Sequence, residues 1–192
     1  MVILTKFANM NNEDRDLVSE LKTEGKKDLA FHRLVKKYQE RLYWHIRKMV
    51  LNHDDTDDIL QNTFIKVWKS IDNFREESGL YTWLYRIATN ETITFLNSKK
   101  RRNVFTLSSE SDYLKENLMS DPYFEGDKIQ MLLQEAIIQL PDKQRLVFNM
   151  KYFEEMKYEE MSKILETSVG ALKASYHHAA KKIEEYLKNS DI

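Results

Sequence analysis

The sequence predicts an all-α protein built as two small helical domains, and three observations carry that expectation. Helix breakers are scarce, with four Gly and two Pro in 192 residues, and most polar positions hold good helix formers. Apolar residues recur at three- and four-residue spacing through long stretches. Most of the rare Gly and Pro fall between those stretches, where they act as punctuation.

Taken in order, residues 1–25 read as an N-terminal extension. Its Met1-Val2-Ile3-Leu4 run is too short for a signal peptide, and acids soon follow. A polar helix is expected over 13–24, capped by Asn12 and ended by Gly25. Residues 26–102 form the first domain. One long helix carries Phe31, Leu34, Val35, Tyr38, Leu42, Ile46 and Met49 in a single stripe. A second helix, over 56–70, turns Leu60, Phe64, Val67 and Trp68 inward; a third, over 80–99, does so with Leu84, Ile87, Ala88 and Phe95. Gly79 sits in the break before the third helix.

Residues 103–127 read as a flexible acidic linker. The segment is rich in Ser, weakly periodic, and carries six acids against one Lys, a net −5. Such composition favours an extended, mobile chain, able to span at most roughly 80 Å. Pro122 and Gly126 lie in this helix-poor stretch, and Pro141 suits the first turn of a later helix. Residues 128–192 form the second domain, opened by Ile129, Leu132, Leu133, Ala136 and Ile137.

Within that domain, residues 158–182 read as a helix, a short polar break and a second helix. Met161, Ile164 and Leu165 are the apolar side of the first. Glu166 and Thr167 interrupt it, and Ser168 is placed to cap the next. The second helix has Val169, Leu172, Tyr176, Ala180, Ile183 and Leu187 on one stripe. Its other side presents Gly170, Ala171, Lys173, Ala174, His177 and Lys181. Small residues let a backbone approach a surface closely, and cations suit phosphates, which is the layout of a DNA recognition helix. An ordinary helical hairpin with a solvated face fits the same pattern. Lys157 and Tyr158 open the preceding helix, where N–H groups also meet phosphate.

Three further clusters bear chemistry. His53-Asp54-Asp55-Thr56-Asp57-Asp58 places acids where unpaired helix N–H groups favour them. The same run is compatible with a Mg²⁺-dependent diphosphate enzyme using Asp54, Asp55 and Asp58, but no second acidic cluster accompanies it. Tyr81-Thr82-Trp83-Leu84-Tyr85-Arg86-Ile87-Ala88-Thr89-Asn90, leading to Lys99, Lys100, Arg101 and Arg102, joins rings that can stack on unpaired bases to cations that hold a backbone. Leu84, Ile87 and Ala88 belong to the core, Trp83 is ambiguous, and Tyr85, Arg86 and Asn90 are expected to be exposed. The loop from Phe74 through Arg75 to Ser78 could hold one extruded base. Leu140-Pro141 with Gln144-Arg145, and Tyr152-Phe153, read mainly as scaffold.

Charge and composition restrict the function. Formal net charge is −1, whereas a stand-alone DNA binder usually carries a basic excess. A DNA-binding role therefore requires a partner that supplies the remaining affinity. The chain has no Cys, which excludes disulfides, thiolate metal sites and thiol catalysis. No apolar run reaches membrane-spanning length, so a cytoplasmic protein without membrane insertion is expected.

Together these segments resemble a bacterial RNA polymerase sigma factor of the extracytoplasmic-function (ECF) group. Asp57-Asp58-Ile59-Leu60-Gln61-Asn62-Thr63-Phe64-Ile65-Lys66-Val67-Trp68 and the Phe74 to Asn90 stretch are similar to the family's region 2. Leu140-Pro141, Gln144-Arg145, Tyr158-Glu159-Glu160-Met161 and Ser168-Val169-Gly170-Ala171-Leu172-Lys173 are similar to its region 4. The resemblance implies a transcription initiation factor with no catalytic residue, cofactor or metal. It implies docking on core RNA polymerase through Asp57, Asp58, Gln61, Asn62 and Ile65, with Asn62 standing where Glu is usual. It implies capture and opening of a downstream promoter element by Phe74, Arg75, Ser78, Trp83, Tyr85, Arg86, Asn90, Lys99, Lys100, Arg101 and Arg102. Upstream duplex would be read by Lys157, Tyr158, Ser168, Gly170, Ala171, Lys173, Ala174, His177 and Lys181. Glu166 stands at the usual turn Gly, and the Ala174 to His178 stretch is less Arg-rich than is usual, so the duplex sequence read should differ. An anti-sigma factor is the implied controlling partner. A stand-alone helix-turn-helix regulator is the nearest alternative.

Overall fold

The computed structural model describes residues 11–103, 110–120 and 128–190. The Met1 to Leu4 run and the linker segments 104–109 and 121–127, with Pro122 and Gly126, lie outside the described residues. Every regular element among the described residues is helical, as the composition requires.

Helix α1 (Asn12–Leu21) is capped by Asn11, whose side chain accepts from the Asp14 N–H at 2.7 Å. The cap therefore lies one residue before the Asn12 expected. Helix α2 (Lys27–Val50) follows with 24 residues, and Leu34, Leu42, Ile46 and Val50 are fully buried along one face. Leu51 ends it in the left-handed region, at φ 57°. Helix α3 (His53–Ser70) is capped by Asn52, which accepts from the Asp55 N–H at 2.9 Å. It begins before the expected Thr56, so Asp54 and Asp55 fall in its first turn. A short 3-10 turn (Ile71–Asn73) and a loop lead to α4 (Leu80–Asn103). Helices α1, α3 and α4 pack around α2, and Ile71, Leu80 and Leu84, each fully buried, complete the core.

The stretch expected to be an extended linker holds a helix, α5 (Glu110–Ser120). Leu114 and Leu118, four residues apart, are buried against Ile138 with Leu51 and Met131 alongside. Asn117 Nδ2 donates to the Val50 carbonyl at 3.1 Å, which satisfies a group at the α2 C-terminus. The polar composition concealed one apolar stripe, and that stripe needs a surface from elsewhere in the chain to form.

The second domain contains α6 (Lys128–Ile138), α7 (Asp142–Tyr152), α8 (Tyr158–Leu165) and α9 (Val169–Asn189). Pro141 is the residue before α7 rather than inside its first turn; its missing N–H costs nothing there either. Ala136, Ile137, Leu140, Phe148, Ala179 and Ile183 form the local core. A second face of α7 and α8, with Leu146, Val147, Met150, Met161 and Ile164, joins the core of the first domain. The two domains therefore share packed surface.

Leu84 is fully buried and Leu29 is 70% exposed. Leu84→Ala should lower the unfolding free energy by about 2–5 kcal/mol, while Leu29→Ala should change it by no more than about 0.5 kcal/mol. Urea denaturation followed by circular dichroism checks both.

Candidate nucleic-acid interface

Three surfaces carry the residues singled out by the sequence. The first is the outer face of α3. Asp57, Asp58, Gln61, Asn62 and Ile65 are all exposed there, while Ile59, Thr63, Phe64 and Val67 anchor the opposite face. The 57–61–65 and 58–62 spacings place them on adjoining ridges of one helix. Ile65 is 44% exposed, so the patch combines an apolar side chain with acids and amides, and its carboxylates repel phosphate, which suits a basic protein surface better than nucleic acid. Asp55 turns away from this patch, accepting from the Tyr113 hydroxyl and lying 3.6 Å from Lys99 Nζ. Asp54, Asp55 and Asp58 do not form a metal site. Among the described residues no group of three or more His, Cys, Asp or Glu side chains could hold a metal ion.

The second surface is the 74–79 loop with α4. Phe74 is 4% exposed and packs on Trp83 with ring centroids 4.9 Å apart. Lys22 Nζ donates to the Phe74 carbonyl at 2.8 Å and pairs with Glu76 at 3.2 Å. Phe74 therefore acts as a core support for the loop, with Arg75 exposed and Ser78 half-buried at its rim. Trp83 is also half-buried.

Tyr85 departs from expectation. It is 2% exposed, its hydroxyl donates to the Arg41 carbonyl at 3.2 Å, and its ring lies 4.3 Å from Tyr81 and 4.7 Å from His45. Burial, with Glu154 nearby, drives its hydroxyl pKa far upward. Helical spacing within α4 could not reveal this, because α2 and the segment after α7 cover the ring. Arg86 is also engaged: Nη2 donates to the Lys163 carbonyl at 2.5 Å, and Nη1 lies 3.1 Å from Glu166 Oε1. Asn90 is exposed as expected. At the helix end, Lys99 Nζ lies over the rings of Phe95 and Tyr113 at 5.3 and 4.7 Å. Lys100 and Arg101 are exposed, with Arg101 Nε donating to the Asn97 carbonyl at 3.3 Å; the Arg102 side chain lies outside the described residues.

The third surface is α9. Ser168 Oγ caps it by accepting from the Ala171 N–H at 3.3 Å. Leu172, Ala179 and Ile183 face inward at 1%, 0% and 5% exposure. Gly170, Ala171, Lys173, Ala174, His177 and Lys181 are all exposed. A Cβ built on Gly170 meets nothing within 4 Å, so the fold of the chain itself does not demand a small residue there. Tyr158 is half-buried between Lys151 and Lys173, whose ammonium groups lie 5.3 and 5.8 Å from its ring centre. Lys157 is exposed beside it.

The sequence reading missed a polar cluster joining the domains. His45, 2% exposed on α2, places Nδ1 3.0 Å from Glu154 Oε1 and Nε2 2.9 Å from Thr89 Oγ1. Asn149 Nδ2 donates to the Lys48 carbonyl at 3.0 Å. His45 and Glu154 are 109 residues apart, and no local pattern pairs them. Burial alone would raise the Glu154 carboxyl pKa. The hydrogen bond and charge of His45, with Lys48 and Tyr85 close by, outweigh burial and hold it below the ordinary value. A depressed carboxyl contributes stability above its unfolded pKa of about 4.3 and loses it as pH falls through the lower folded value. Glu154→Gln should therefore lose less stability than the natural chain between about pH 5 and 3, measured as the shift of the urea midpoint; equal losses would mean the contact contributes nothing.

Comparison with known proteins is consistent with this geometry. Residues 34–102 match Sigma-70 region 2, and residues 130–183 match Sigma-70 region 4. The RNA polymerase sigma-H factor of Pseudomonas aeruginosa is 29% identical, with 92% of this chain and 94% of that protein aligned. The ECF RNA polymerase sigma factor SigW of Bacillus subtilis is 30% identical, over 83% of this chain and 90% of that protein. Two solved structures share the fold at 20% identity. One is CnrH in complex with the cytosolic domain of CnrY, with a TM-score of 0.66 over 94% of this chain and 100% of that one. The other is the sigma factor RpoE in complex with the anti-sigma factor NepR from Bartonella quintana, at 0.63 over 84% and 98%.

Proposed function

Since the chain belongs to the extracytoplasmic-function sigma factors of bacterial RNA polymerase, we propose that its three surfaces divide the work of transcription initiation. It is a transcription initiation factor that binds core RNA polymerase and confers promoter recognition. The exposed patch of Asp57, Asp58, Gln61, Asn62 and Ile65 docks on the core enzyme. Arg75, Ser78, Asn90 and the Lys99 to Arg102 cations meet the downstream element as it opens, joined by Tyr85 and Arg86 once these are uncovered. The outer face of α9, from Gly170 to Lys181, enters the upstream duplex. Phe74 and Trp83 support the loop that receives a displaced base.

The observation that carries this reading is the coexistence of three unlike surfaces on one near-neutral chain. One is suited to a protein, one to a melted strand and one to a groove. A factor of net charge −1 gains little from phosphate neutralisation alone. Held by the polymerase, its two DNA-binding domains meet one duplex at high effective concentration. Among the described residues no helix is long and apolar enough to cross a membrane, and we place the factor with its polymerase in the cytoplasm. We also infer control by an anti-sigma factor, a partner of the kind named for the RpoE structure.

Two substitutions test the division of work. Asp58→Ala with Gln61→Ala should weaken binding to core polymerase at least about tenfold, since truncating contacts central to an interface costs more than 1 kcal/mol each. Direct titration of labelled chain checks this, and unchanged affinity assigns docking elsewhere. Lys173→Ala should weaken upstream-element occupancy by the assembled polymerase and reduce the salt slope by about one. Filter binding over a salt series reads both, and an unaltered slope removes Lys173 from the phosphate contacts.

A further inference from the structure

The loop assigned to the displaced base is fastened by a residue that lies before the stretch matching Sigma-70 region 2, residues 34–102. Lys22 Nζ donates to the Phe74 carbonyl at 2.8 Å and pairs with Glu76 Oε1 at 3.2 Å. One ammonium group therefore holds the chain on both sides of Arg75. The Phe74 N–H is held as well, donating to the Ile71 carbonyl at 3.0 Å. Glu76 has φ 57°, in the left-handed region that a residue with a Cβ adopts infrequently. Phe74 is buried, Arg75 exposed and Ser78 half-buried. These contacts fix the backbone that carries Arg75 and Ser78 at the rim.

Lys22 is itself anchored. It ends α1, where its N–H donates to the Val18 carbonyl at 3.2 Å, and Leu17, Val18 and Leu21 of the last turns are buried in the first-domain core. Gly25, at φ 78°, reverses the chain after it. Lys27 then pairs with Asp72 at 2.8 Å, on the other flank of Phe74. Electrostatics favour the same role. The 74–78 segment carries Glu76 and Glu77 against Arg75 alone, and a DNA strand brings phosphates that these carboxylates repel. Lys22 offsets the Glu76 charge at the loop. The pair adds little to the stability of the fold, because its side chains are 33% and 28% exposed and ion pairs near the surface contribute little. What it determines is the shape and charge of the loop.

We propose that Lys22 is a positioning residue for the base-capture loop: it sets the backbone around Arg75 and neutralises Glu76 so that one displaced base is read there. It acts through the loop and not on the base itself. The role in base reading rests on the proposed function above. The hold on the loop does not, and it is measured on the free chain without polymerase or DNA.

Two substitutions in the full chain supply the test. Lys22→Met removes the charge and both contacts while keeping an unbranched side chain. Lys22→Arg keeps a cation whose several N–H groups can reach the same two acceptors. In the free chain, Lys22→Met should raise amide hydrogen exchange across residues 74–79 at least about fivefold, with exchange in α2 and α9 and the thermal midpoint unchanged. Holoenzyme assembled from core polymerase and each chain is then mixed with a single-stranded DNA pool randomised over its central stretch, and the bound fraction is sequenced. The natural chain should enrich one base at one position. Lys22→Met should lower that enrichment at least about threefold, because binding scales with the fraction of loops in the competent shape. Enrichment at other positions and affinity for core polymerase should be retained, and Lys22→Arg should keep the natural profile. Unaltered exchange in Lys22→Met overturns the hold on the loop. An unaltered enrichment, or a loss spread over every position, overturns the positioning role. A natural holoenzyme that enriches no base would instead count against the base-capture reading, and the exchange result would still decide the hold.

Discussion

Burial of one face of α2 is the constraint on which the rest of the structure depends. The helix runs 24 residues, about 36 Å at 1.5 Å per residue. Leu34, Leu42, Ile46 and Val50 leave no exposed surface along it. Helix α1 closes its beginning, where the Tyr38 hydroxyl donates to Asp14 at 2.7 Å. Helices α3 and α4 fill its sides, and the second domain reaches its C-terminal half through His45 and Lys48. Because α3 spends Ile59, Phe64 and Val67 on this core, its other ridges must face outward. The candidate docking patch follows directly from that geometry. Tyr85 is covered for the same reason, since α4 lies against α2 where the second domain also lands.

Much of this organisation was legible in the residues. The Leu172 to Ile183 stripe, the Ser168 cap and the outward set from Gly170 to Lys181 are local properties of one helix, so periodicity and capping chemistry reveal them. The residues of the α3 patch were singled out by the family resemblance; periodicity gave only part of the opposite face, Phe64 and Val67, and missed Ile59 and Thr63. What escaped depends on surfaces supplied from far along the chain. Tyr85 reads as exposed within α4, yet Glu154 and α2 bury it. Leu114 and Leu118 look like stray apolar residues in an acidic linker until Ile138 and Leu51 give them a surface. His45 sits in an apolar stripe and would pass for an ordinary core histidine. Its partner is in another domain, and nothing in a single sequence joins the two.

The near-neutral charge acquires a physical meaning in this arrangement. A strongly basic factor would occupy DNA unaided and non-specifically. Here acidic groups are used internally: Asp55 on Tyr113 and Lys99, Glu154 on His45, and Glu166 on Arg86. Asp55 on Lys99 and Glu166 on Arg86 lower the cationic surface open to phosphate. In the proposed function, selectivity then comes from assembly on the polymerase and not from the intrinsic affinity of either domain.

In-vitro transcription by core polymerase on a library of promoter fragments, with and without this chain, tests that central claim most directly. The account requires a small set of transcripts whose templates share two separated elements, made only when both proteins are present. Identical transcripts in both reactions, or sequence-specific protection of duplex by the chain alone at the same salt, would contradict it.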